Sequence, residues 1–106
     1  MSGTLDKLFA TIAARKGADP SQSYTAKLLA GGVENCAKKF GEEATEAVIA
    51  AIQKDKTELA KESADVLYHL AVLWAASGLT PEDVYAVLQA REAQSGLEEK
   101  ASRPKG

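Results

Sequence analysis

The run Lys38-Lys39-Phe40-Gly41-Glu42-Glu43-Ala44-Thr45-Glu46-Ala47-Val48-Ile49-Ala50-Ala51-Ile52 sets the architecture of this 106-residue chain. With the residues before it, it places Val33, Cys36, Ala37, Phe40, Ala44, Ala47, Val48, Ala51 and Ile52 at helical spacing, which predicts one long helix from Val33 to Ile52. Gly41 inside that helix costs about 1 kcal/mol relative to alanine and suits close approach of another group. From Ala44 to Ile52 only Thr45 and Glu46 are polar. Ile49 and Ala50 flank Glu46 while Ala44, Val48, Ala51 and Ile52 take the other side, so the helix is expected to be covered on most faces. Glu46 then sits poorly solvated, and such a carboxylate must be protonated, paired or metal-bound.

Glu43 and Glu46 project from neighbouring positions of one helical face, and Glu62 and Asp65 repeat that spacing on a helix predicted from about Thr57 to Ser77. Like charges so placed destabilise a helix by about 0.2–0.5 kcal/mol per pair in water, and by more where water is excluded. A hard divalent cation, which takes carboxylate oxygens and keeps positions open for water or phosphate, would reverse that cost. Two merely solvated acidic faces are the other reading. Lys38 and Lys39 precede the acids and do not offer the favoured glutamate-then-lysine pairing. They are either phosphate contacts or ordinary surface lysines.

Outward from this pair the chain reads as helices throughout. Leu5, Leu8, Phe9, Ile12 and Ala13 predict an amphipathic helix over Thr4–Lys16, which Gly17-Ala18-Asp19-Pro20 ends. Ser21 or Ser23 caps a short helix carrying Tyr24, Thr25, Lys27, Leu28 and Leu29, and Gly31-Gly32 interrupts the chain before Val33. Gln53 to Lys56 forms a turn between two antiparallel neighbours. Gly78 closes the next helix, and Thr80-Pro81-Glu82-Asp83 starts a last one reaching about Gln94. The expected fold is all-α: a single domain over 1–106 with four to five helices and an antiparallel central pair.

Val66 to Ala76 is apolar on nearly every side, more than the other helices are expected to cover, so a symmetric dimer is predicted on that helix. Tyr68 and Trp74 are expected in the core or the interface, with a stacking platform for a base as the alternative. His69, one turn after Asp65, is read as a packed, hydrogen-bonded side chain, or else as a group near the metal. The segment 95–103 lacks apolar periodicity, and is expected to be mobile without ligand and to close over substrate.

Composition narrows the function. The chain is 45% hydrophobic and 26% charged with a net charge of −2, an ordinary globular balance with no basic stripe for nucleic acid. Cys36 is the single cysteine, so no intramolecular disulfide is possible, and a small buried thiol in a reducing, cytoplasmic setting is expected. The opening residues carry no cleavable signal pattern, and the run from Val66 to Ala76 is too short for a membrane span.

Lys39-Phe-Gly-Glu-Glu-Ala-Thr-Glu46 followed by Glu62-Ser-Ala-Asp65 resembles the EExxE…ExxD pattern of the all-α nucleotide pyrophosphohydrolase superfamily. Ser23-Tyr-Thr-Ala-Lys-Leu-Leu29, Ala64-Asp-Val-Leu-Tyr-His-Leu70 and Ser95-Gly-Leu-Glu-Glu-Lys-Ala-Ser-Arg103 resemble, more narrowly, the phosphoribosyl-ATP pyrophosphohydrolase family of histidine biosynthesis. The likeness runs over almost the whole chain from Ser23. It implies a helical homodimer that uses Mg2+, with Mn2+ as a substitute, to hydrolyse phosphoribosyl-ATP to phosphoribosyl-AMP and pyrophosphate. By the same likeness Glu43, Glu46, Glu62 and Asp65 hold metal, and Glu42 binds a further ion or orients water beside the catalytic Glu43 and Glu46. By their own hydroxyl and cationic chemistry Tyr24, Thr25, Lys27, Lys38, Lys39, Lys100, Ser102 and Arg103 are the candidate substrate contacts. A fused cyclohydrolase partner domain is not expected here. The alternatives are a housekeeping NTP or dNTP pyrophosphatase and a non-enzymatic helical dimerisation module.

Overall fold

Local capping chemistry sets where each helix begins. In the computed structural model, which describes residues 3–93, there are five helices and no strand among the described residues: α1 (Thr4–Ala14), α2 (Tyr24–Ala30), α3 (Gly32–Ile52), α4 (Lys56–Ser77) and α5 (Pro81–Glu92). The Ser23 hydroxyl accepts from the Ala26 amide at 3.1 Å to start α2, while Ser21 is held by the Asp19 carboxylate and caps nothing. Asp55 accepts from the Glu58 amide at 3.0 Å to start α4. Thr80 and Asp83 exchange backbone and side-chain hydrogen bonds around Pro81 to start α5. Gly78 ends α4 in the left-handed region (φ 76°), with the Leu79 amide donating back to the Trp74 carbonyl at 2.9 Å. The segment 95–103, with Lys100, Ser102 and Arg103, lies outside the described residues.

One boundary and one expected contact differ from the sequence reading. α1 stops at Ala14, not Lys16, because the Arg15 and Lys16 amides turn back three residues onto Ile12 and Ala13 instead of continuing the α-helical ladder. α3 runs unbroken through Gly41, where a Cβ would meet nothing within 4 Å, so the close approach expected there is not made by the described residues.

α3 and α4 form the antiparallel central pair through the turn at Gln53–Asp55, and α1 and α2 lie across α4. The core joins Ile12, Leu28, Cys36, Ala71, Val72 and Ala75, with Leu8, Phe9, Tyr68 and Leu73 packed around it. The Cys36 thiol donates to the Leu28 carbonyl at 3.2 Å, and burial pushes its pKa up, as suits an inert core thiol. Trp74 is buried, a core residue and not a stacking platform.

The surplus of apolar surface is on a different helix from the one expected. α1, α2 and α3 together cover most of the apolar residues of α4, and Leu67 is the large one left exposed on it. On α3, by contrast, Val33, Val48, Ile49 and Ile52 are exposed, Ile52 at 74%. α4 packs against the side of α3 that carries Cys36 and Ala50, so the residues opposite have no cover from the described residues. Glu46, expected to be poorly solvated, is exposed although it lies one turn before buried Ala50 and near enough to Glu62 of α4 to act on its charge.

Candidate metal centre

Glu43 falls seven residues after Cys36 and seven before Ala50, about two helical turns each way, and both of those residues are buried. It therefore occupies a core-type position on the seam between α3 and α4. Across the seam, Glu62 and Asp65 precede buried His69 and Val72 by the same interval. The helices thus deliver three carboxylates to one place. Glu43, Glu62 and Asp65 each offer an oxygen, and these oxygens lie within 4.8 Å of one another.

Electrostatic crowding marks the site. Glu62, half-buried, has its pKa raised, first by loss of solvent and then by the charges of Glu43, Glu58, Asp65 and Glu46. No lysine or arginine is ion-paired with the three clustered acids among the described residues: the ion pairs found there are Lys39 with Glu42 at 3.5 Å and Lys61 with Glu58 at 3.7 Å. A set of oxygen donors alone, carrying unneutralised negative charge, fits a hard divalent cation.

The other predicted residues divide. Glu46 adds charge to Glu62 but stands outside the close group of three, and Glu42 is exposed and paired with Lys39. Lys27 and Lys38 are exposed. Tyr24 is 57% exposed at the start of α2, and the neighbouring Thr25 hydroxyl shares a 2.5 Å hydrogen bond with the Tyr68 hydroxyl, tying α2 to α4. His69 is packed as expected, with the Tyr24 and Tyr68 rings edge-on to it at 6.4 and 5.0 Å. The hydrogen bond expected of it is absent at Nδ1, which is buried without a partner among the described residues. Glu58 was missed. Its signal was available, since Glu58, Glu62 and Asp65 recur at helical spacing on one face.

A profile described as phosphoribosyl-ATP pyrophosphohydrolase matches residues 5–92. The chain belongs to the phosphoribosyl-ATP pyrophosphohydrolase family. Proteins named phosphoribosyl-ATP pyrophosphatase resemble it throughout. That of Cereibacter sphaeroides (strain ATCC 17029) is 61% identical over 93% of this chain and 96% of its own length. That of Ruegeria pomeroyi is 59% identical over 96% of this chain and 97% of its own, and that of Parvibaculum lavamentivorans 63% over 93% and 91%. For a member of this phosphoribosyl-ATP pyrophosphohydrolase family, an acidic cluster on the central helix pair is compatible with metal-dependent cleavage of a phosphoanhydride. An open cleft of about 520 Å³ between α1 and α5, lined by Leu5, Asp6, Tyr85 and Leu88, shares no residue with that cluster. No described helix is long and apolar enough to cross a membrane.

Proposed function

We propose that this protein hydrolyses phosphoribosyl-ATP to phosphoribosyl-AMP and pyrophosphate at the Glu43, Glu62 and Asp65 cluster, with Mg2+ or Mn2+ as cofactor, in a cytoplasmic homodimer. The observation that carries the reading is the gathering of three carboxylates from two helices within 4.8 Å in a chain of this family. A divalent cation held there would supply charge neutralisation for the phosphates and acidify a bound water. The protein's own residues supply the rest. Glu43, Glu62 and Asp65 would hold the cation between α3 and α4, with Glu46, exposed one turn after Glu43, as a further ligand and Glu42 to bind a further ion or orient water. Lys27, Lys38 and Lys39 supply cations for the outer phosphates, Lys39 at the cost of its contact with Glu42, and Tyr24 and Thr25 present the start of α2 to the substrate. Lys100, Ser102 and Arg103 belong to the same proposal as contacts to the additional ribose phosphate.

The homodimer is supported by the uncovered face of α3, and the cytoplasmic setting by the free thiol of Cys36. The deciding experiment measures pyrophosphate released from phosphoribosyl-ATP against a panel of NTPs and dNTPs. Preference for phosphoribosyl-ATP, lost on chelation and restored by Mg2+, is expected. Equal or better turnover of an ordinary nucleotide would make the protein a housekeeping pyrophosphatase, and no turnover of any would leave it an interaction module.

A further inference from the structure

We propose that His69 is a nucleoside-binding residue: its ring carries the proton on Nε2 and donates it to an oxygen of the ribose next to the metal-bound phosphates. This rests on the function proposed above and deepens it. His69 is only 6% exposed, and its Nδ1 has no hydrogen-bond partner among the described residues. A buried N–H without an acceptor is rarer and more costly than a buried acceptor without a donor. In the neutral ring the proton therefore belongs on Nε2, leaving a lone pair at Nδ1. A ring in that state is a hydrogen-bond donor and cannot ligate metal through the protonated nitrogen.

Its position selects what it donates to. His69 follows Asp65 by one turn on the same face of α4, about 6 Å further along the helix axis. The step from an α-phosphate to its ribose is of that order, so a nucleotide with its phosphate chain on the carboxylates brings its sugar to His69. The exposed Tyr24 ring, edge-on to the imidazole at 6.4 Å, then borders the base. The fold itself has little use for the imidazole. A phenylalanine would keep the edge contacts with Tyr24 and Tyr68 and would remove the orphaned nitrogen.

The test compares His69→Phe, which has no donor, with His69→Gln, whose amide reaches about where Nε2 lies. For His69→Phe, KM for phosphoribosyl-ATP is expected to rise about tenfold, the scale of one lost hydrogen bond, with kcat little changed, Tm equal or higher and Mn2+ affinity by calorimetry unaltered. His69→Gln should recover most of the KM. Should His69→Phe lose its helical circular dichroism, His69→Asn, whose amide reaches only the Nδ1 position, takes its place with the same expected KM. An unchanged KM in the donor-less variant, no rescue by glutamine, or a fall in Mn2+ affinity each overturns the proposal. If wild type releases no pyrophosphate from phosphoribosyl-ATP, the substrate reading has failed separately. AMP binding to the same variants then decides the nucleoside subsite alone.

Discussion

The Tyr85 hydroxyl donates to Asp6 Oδ1 at 2.9 Å, while the other oxygen of the same carboxylate accepts from the Gly3 amide at 3.1 Å. One side chain thus caps α1 and holds α5 against it, 79 residues away in sequence. Elsewhere α5 packs lightly, with Val87 and Leu88 exposed. Tyr85→Phe should lower Tm by a few degrees, and Asp6→Ala should cost more because the α1 cap goes with it. Loss of solvent, the hydrogen bond to Asp6 and the charges of Asp6 and Glu82 raise the Tyr85 pKa above its usual value near 10. The folded protein therefore keeps the phenol proton longer than the unfolded chain does. The contribution is complete at neutral pH and is lost as pH climbs through the alkaline range. Thermal scans of wild type and Tyr85→Phe should converge above about pH 10; a constant gap would assign the effect to packing.

Glu62 makes the opposite kind of statement. Its raised pKa means that the folded state holds the proton more tightly than the unfolded chain, so the crowding is relieved at acid pH and grows as pH rises through the folded pKa. In metal-free protein at neutral pH, Glu62→Gln should accordingly match or exceed the wild-type Tm. Added Mn2+ should raise the wild-type Tm and leave that of Glu62→Gln nearly unmoved, since a ligand of the native state stabilises by mass action. Turnover by Glu43→Gln, Glu62→Gln or Asp65→Asn should fall about 100-fold or more with helicity intact. Any of the three retaining wild-type activity at saturating Mg2+ would remove that residue from the site.

Features written in neighbouring residues were legible in the sequence. The Thr80 and Asp83 capping pair, the Gly78 stop and the Glu62-to-Asp65 spacing each follow from short-range geometry, and each lies where it was expected. Two kinds of feature were not legible. The Asp6 to Tyr85 bond joins residues that are individually ordinary, and only the packing of α5 on α1 brings them together. The exposure of Val48 and Ile52 depends on which side of a doubly apolar helix α4 covers. Periodicity alone gives two apolar sides to α3 without ranking them. His69 combines both cases: its burial was readable from the run around it, its unpartnered Nδ1 was not.

The turn between the central helices stores a small strain. Lys54 has φ 59°, in the left-handed region that favours glycine, immediately before the Asp55 cap of α4. The Lys54 amide still donates to the Ala51 carbonyl at 3.1 Å, so the conformation is fixed by the turn and not by the side chain. Lys54→Gly should relieve roughly 1 kcal/mol, less the added entropy of the unfolded chain, and raise Tm by up to about 4 °C. Lys54→Ala should give no gain. A glycine variant less stable than wild type would mean that the lysine contributes a contact outweighing the strain.

The face of α3 turned away from α4 carries Ala37, Gly41, Val48 and Ile52, all exposed, and the Thr45 hydroxyl between them is turned back onto the Gly41 carbonyl at 3.0 Å. An apolar stripe along a helix of 21 residues, with a glycine where a Cβ would meet nothing, suits the close approach of another helix. A second copy presents the same stripe, and a two-fold axis across it would bury both. Val48→Glu or Ile52→Glu should then yield a folded monomer, because each places a charge in the interface but none in the core, whereas Leu73→Glu, at a side chain packed against the core, should unfold the chain. Sedimentation at low micromolar concentration separates the cases. A dimeric wild type that both α3 variants convert to a helical monomer is the expected result. A wild type already monomeric would sink the homodimer, and a dimer indifferent to both substitutions would move its interface off α3, with Leu67 on α4 or Val87 and Leu88 on α5 the next exposed apolar residues to probe.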